Sequence, residues 1–201
     1  RSGKIREPVL RLSALLRGFG YASDSGRYRV GNTDNAGSSL GQTAMRSPSV
    51  FNFYRPGYVA PGTQAAAAGL VAPEMALAQE TTAAGYVNYM RDGISSGFGA
   101  SATVTVNGVQ VTRRDLQPSF SAELALADKP ADLVQQVGDK LMQGGMPDAL
   151  KTEIVTAVGA ITIPALNSTG SNQAQIDTAK RTRVNAAVFL TMVSPEFQVQ
   201  K

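Results

Sequence analysis

A mainly α fold of five to six helices, with one β-hairpin and a long aromatic-anchored loop, is what the sequence predicts. Three observations carry that expectation. Apolar residues recur at spacings of three and four in five segments, an Asn-Gly pair joins two valine-rich runs, and the stretch from Ala22 to about Ala72 has no periodicity. The 201 residues suit one domain, which by area scaling buries roughly 70% of the surface of the unfolded chain. No internal repeat and no sharp break in composition divides it, so residues 1–201 read as a single helical domain.

The first helix lies in "EPVLRLSALLRGFGY". Pro8 suits a first helical position, Val9, Leu12, Leu16 and Phe19 make one face with Leu15 beside it, and Gly18 and Gly20 end it. From Ala22 onward "ASDSGRYRVGNTDNAGSSLGQ" is turn chemistry, and a loop of this length in a compact domain calls for side chains that pin it. "APEMALAQETTAAGYVNYMRDGI" resumes helical character from Pro73 and Glu74, with Met75, Thr82, Tyr86, Met90 and Ile94 as its stripe; Gly85 weakens it. In "TVTVNGVQVT", Asn107-Gly108 fits a type I′ turn that sets Val106 opposite Val109 and Val104 opposite Val111. Two helices follow in series. Leu133, Val134, Val137 and Leu141 stripe the first, Gly144-Gly145 stops it, and Leu150, Ile154, Val155, Val158 and Ile161 stripe the second, giving an antiparallel pair. A last helix spans about Gln173 to Val193.

Composition removes whole classes of chemistry. With no Cys there is no disulfide and no thiolate, and with no His the usual general base and commonest metal ligand are missing. Zinc-hydrolase, Ser-His-Asp and Cys-His mechanisms cannot be completed within the chain. The runs "AAAAGLVA" and "AAVFLTMV" fall short of the ~20 residues that cross a bilayer, so no transmembrane segment is expected. The chain opens on Arg1 rather than Met, which suggests a fragment or processed product. Its net charge of +4 gathers at the start, where Arg1, Lys4, Arg6, Arg11, Arg17, Arg27 and Arg29 face only Glu7 and Asp24; a solvated face is the plain reading.

Five constellations are weighed for function. "GSSLG" fits the G-x-S-x-G pattern with Ser39 as nucleophile, but the residues before it are turn formers and no base accompanies it. Glu80 is the candidate carboxylate of a hydrolase; Glu74 lies six residues away on the same predicted helix, and the two do not converge. Asp24, Asp34 and Asn35 supply hard oxygen donors suited to calcium, although the spacing lacks the bidentate Glu of an EF-hand and Asx-turns explain them more simply. Lys180, Arg181 and Arg183 without a stacking platform are too thin a basis for nucleic acid. The fifth constellation is "RSPSVFNFYRPGY". Here Arg46, Phe51, Asn52, Phe53, Tyr54 and Arg55 either line a binding cleft or, as the sequence favours, turn rings inward to tie the loop to the core.

The segments "KIREPVLRLSALLRGFG", "LGQTAMRSPSVFNFYRPGYVAPGT", "GLVAPEM" and "RTRVNAAVFLTMVSPEFQVQK", in that order, resemble the C-terminal portion of the bacterial domain of unknown function 1800 family. The resemblance covers nearly the whole chain. Members are longer, which implies a missing N-terminal part as one partner. They are largely helical and often carry export signals, which implies a periplasmic or extracellular, cell-envelope setting. The family's motif positions fall on Arg46, Pro48, Val50, Phe51, Asn52 and Phe53 and on Ser194, Pro195 and Glu196; no activity comes with them. A structural or interaction module for a protein or polymer partner is therefore the first expectation. A hydrolase using Ser39, Asp34 or Glu80, aided by calcium, is the alternative.

Overall fold

The computed structural model describes residues 4–200. Arg1, counted above in the basic cluster, lies outside them. Helices predominate, with small antiparallel sheets attached. In chain order the elements are β1 (Lys4–Ile5), α1 (Pro8–Gly18), β2 (Ala22–Ser23), α2 (Gln64–Ala67), a 3-10 turn (Pro73–Leu77) and α3 (Glu80–Ser96). There follow β3 (Phe98–Val106), β4 (Val109–Gln117), α4 (Ser121–Ala125), α5 (Pro130–Met142), α6 (Asp148–Gly159), α7 (Gln173–Val193), α8 (Pro195–Gln198) and β5 (Val199–Gln200).

Five helices of eleven residues or more, α1, α3, α5, α6 and α7, stand where the periodicity predicts them. The count of five to six is exceeded because α2, α4 and α8 have only four or five residues, too few to display a stripe. The helix expected from Pro73 onward is also split. Thr82 is the cause: its hydroxyl donates to the carbonyls of Leu77 (2.6 Å) and Gln79 (2.8 Å) and accepts from the Gln79 amide (2.9 Å), completing a capping box that starts α3 afresh at Glu80.

The core is filled by the predicted stripes. Leu15, Met90, Leu133, Val137, Val184 and Val188 are closed to solvent, and Phe19 meets Phe120 edge-on at 5.3 Å. Gly93 exists for packing: a Cβ there would enter the ring of Phe98. The hairpin has the predicted register, Val106 opposite Val109 and Val104 opposite Val111, and both Asn107 (φ 50°) and Gly108 (φ 81°) take the left-handed conformation of a type I′ turn. Its base is tied to the body through β2, giving the order β2-β4-β3. In a second, separate sheet β1 pairs antiparallel with β5, Lys4 opposite Gln200 and Ile5 opposite Val199.

The basic cluster is not uniformly solvated. Arg11 is buried because its guanidinium has partners on every side: Nε donates to the Arg6 carbonyl (2.8 Å), a terminal nitrogen donates to Gln198 Oε1 (3.1 Å), and the group lies 4.8 Å from the centre of the Tyr86 ring.

Candidate functional site

The long segment between β2 and α3 has two unlike halves. In the first, polar side chains fasten the backbone. Thr33 donates its hydroxyl to the Gln42 carbonyl (2.6 Å) and its amide to Thr43 Oγ1 (2.6 Å), while Leu40 is buried in the core. Gln42, 2% exposed, donates to Glu7 Oε2 (2.9 Å) and accepts from the Val9 amide (3.3 Å), so it bridges the loop to the start of α1. Residues 36–37 lie so close to α3 that a Cβ on Gly85 would strike the Ala36 carbonyl. That contact explains a glycine in the middle of a helix, where its intrinsic cost is about 1 kcal/mol.

The second half, from Ala44 to Ala72, is different. Met45 (102%), Val50 (94%), Phe51 (58%), Leu70 (59%) and Val71 (58%) are exposed, and Val59 joins them. A hydrogen bond from the Ala72 amide to the Tyr58 carbonyl (2.8 Å) ties the backbone next to Val71 to that next to Val59. Val50 and Phe51 are the central residues of a tight turn closed by the Ser49–Asn52 bridge, in which Asn52 adopts φ 60°, and Met45 lies four residues before it. No Asp or Glu occurs between Asp34 and Glu74.

Aromatic anchoring of the loop is thus corrected. None of Phe51, Phe53, Tyr54 or Tyr58 joins the buried core, whose space is taken by Phe19, Phe98, Phe120 and Phe197. Phe53 and Tyr58 are half-buried at the surface. Tyr54 reaches furthest in: its hydroxyl is buried beside Glu7 and Gln42 without a well-formed hydrogen bond to either, and burial, then the Glu7 carboxylate, pushes its pKa well up. Anchoring comes instead from Thr33, Leu40 and Gln42, which the sequence did not single out.

Of the remaining candidates, Ser39, Asp24, Asp34 and Asn35 are held in separate structural bonds, and Glu80 and Arg55 are exposed. Ser39 is buried, and its hydroxyl donates to the Asn35 carbonyl (2.8 Å) within a turn, not in the strand-turn-helix of a nucleophile elbow. Glu80 is exposed in the first turn of α3, where a carboxylate complements the helix dipole. Asp24 is gripped in bidentate fashion by Arg113 (2.8 Å to each oxygen). Asp34 faces Arg46 at 3.4 Å on the surface, and Asn35 Oδ1 accepts from the amides of Gly37 (2.9 Å) and Ser38 (3.0 Å). The three proposed cation ligands therefore do not converge, and among the described residues no group of three or more His, Cys, Asp and Glu side chains is placed to hold a metal ion. Arg55 is exposed, its carbonyl closing the turn to Tyr58.

One further cleft, of about 880 Å³, lies between α1, the end of α5 and α8, and is lined by Arg6, Arg17, Lys140 and Glu196 among others. Arg17 and Lys140 stand in the last turns of α1 and α5, where a cation balances the negative helix end. Lys140 is also paired with the buried Glu123 at 2.6 Å and lies over the Phe19 ring, so its place is accounted for by the fold.

Fold and site together define a helical body that presents a long apolar loop, with its candidate nucleophile and cation ligands engaged in the scaffold. The chain belongs to the family described as "Protein of unknown function (DUF1800)", whose model matches residues 1–199. No curated protein and no solved structure matches it.

Proposed function

We propose that this chain is a structural interaction module of an exported bacterial protein, working in the cell envelope or outside the cell, and that residues 45–71 are its docking surface. The observation that carries this reading is the outward set of Met45, Val50, Phe51, Leu70 and Val71 on one loop. Large apolar side chains held out in water in this number on one segment mark a contact site. Because the segment has Arg46 and Arg55 but no carboxylate, the partner it suits offers an apolar groove with a neutral or acidic rim. The N-terminal part that the resemblance ascribes to longer family members is the first partner to try.

The test adds that N-terminal part as a separate polypeptide and measures binding to the wild type and to a Val50→Ser, Phe51→Ser double variant. Burying each side chain is worth about 1.5–3 kcal/mol, so the variant should bind at least about a hundredfold more weakly. Equal binding by both proteins would remove the loop from the interface.

A further inference from the structure

We infer that the outer edge of β3, residues 101–106, is a self-pairing strand through which two copies of this chain associate across a two-fold axis at Val104. This site is independent of the loop. In the order β2-β4-β3, strand β3 bonds to β4 on one side, and its other side is an edge. An antiparallel ladder directs the amide and carbonyl of every second residue away from its partner, so among the described residues the outer edge of β3 is a row of unpaired donors and acceptors. Ser101, Ala102, Thr103 and Thr105 are exposed there, and Val104 and Val106 are half-exposed. Such a row is a ready-made template for another strand.

The edge also lacks the features that normally prevent pairing. "SATVTV" contains no Lys, no other charge and no Pro, and the only irregularity of the ladder lies earlier, between Phe98 and Ser101. Gly99, where the strand begins, is covered by the Arg29 carbonyl, which a Cβ at Gly99 would crowd. The free edge is therefore confined to the distal half of the hairpin.

Self-complementarity selects a second copy as the occupant. In an antiparallel pair centred on Val104, Val104 meets its own copy, Ala102 meets Val106, and Thr103 meets Thr105. Apolar residues then face apolar residues on one side of the sheet, and threonines face threonines on the other. Although the chain carries a net charge of +4, this strand carries none, so the axis can be approached without like charges meeting. The pairing would also align the rows of Val104, Val106, Val109 and Val111 from both copies into one continuous face. A contact of six residues is small, so the dimer is a weak, concentration-dependent one.

Sedimentation equilibrium of the full chain across the micromolar to millimolar range tests this. The wild type should rise toward twice the monomer mass. Val104→Lys and Val104→Glu should each remain monomeric with an unchanged far-UV spectrum, and an equimolar mixture of the two should regain the dimer because opposite charges then meet at the axis. Val109→Lys, on the same face but on β4, should leave association unchanged. A wild type that is monomeric throughout would overturn the proposal. So would failure of the mixed variants to associate, or loss of the dimer on Val109→Lys, which would assign the contact to the valine face and not to the edge.

Discussion

Residues 133–141 and residues 45–53 each place four large apolar side chains in nine positions, yet they end in opposite environments. Leu133, Val134 and Val137 are fully enclosed and Leu141 nearly so, whereas Met45 and Val50 are as open as in an extended chain and Phe51 is more than half exposed. Composition does not separate the two; spacing does. In "LVQQVGDKL" the apolar residues fall on one side of a helix that can be pressed against α7. In "MRSPSVFNF" Pro48 and the Ser49–Asn52 turn fix the backbone locally, leaving no shared face to turn inward. The body is thus held by burial, and the outer loop mainly by its polar first half.

That contrast can be broken deliberately. The largest effect should come from Phe98→Ala, which empties a site 1% exposed beside Tyr21 and Tyr89; the loss should be about 3–5 kcal/mol in denaturant unfolding. Gly85→Ala should follow at about 1–3 kcal/mol, because the added methyl must displace the Ala36 backbone and so loosen the junction between body and loop. Local hydrogen exchange should rise first around Ala36 to Gln42.

Asp115 links the start of the loop to β4 and gives a pH test. The Ser23 hydroxyl (2.6 Å), and then the Ser25 amide (2.7 Å), hold its carboxyl below the usual range. Since the folded pKa lies below the unfolded one, its contribution is complete above the ordinary carboxylate pKa and is lost as pH falls through the folded value. Asp115→Asn should therefore lower stability at neutral pH and flatten the acid limb of a plot of stability against pH. The smallest effect on folding is expected from Val50→Ser with Phe51→Ser, within about 0.5 kcal/mol per site, as for surface positions generally. A large loss there would mean that the outer loop is bound to the body after all.

Much of the body was legible from sequence because its information is local. The five long stripes and the Asn107-Gly108 turn need only neighbouring residues to be read. The anchors of the loop were not legible, since Gln42 acts through Glu7 and Val9, thirty-five and thirty-three positions away, and nothing near "GQT" announces them. Gly85 did leave a trace as a costly glycine in a helical stripe, though its reason, the Ala36 carbonyl, is still more distant in sequence. Ser39 and Asn35 matched motifs of chemistry and proved to be turn residues, because short polar side chains serve both ends with the same atoms.

The clasp of β1 on β5 has a topological consequence. With Lys4 opposite Gln200, and the Arg6 amide bonded to the Gln198 carbonyl at 2.8 Å, the described backbone runs out and returns to its starting point, so that it is a ring in all but one covalent link. A short linker across that junction, with new ends opened in the exposed turn at residues 167–172, would give a circular permutant that keeps each long helix and the hairpin intact.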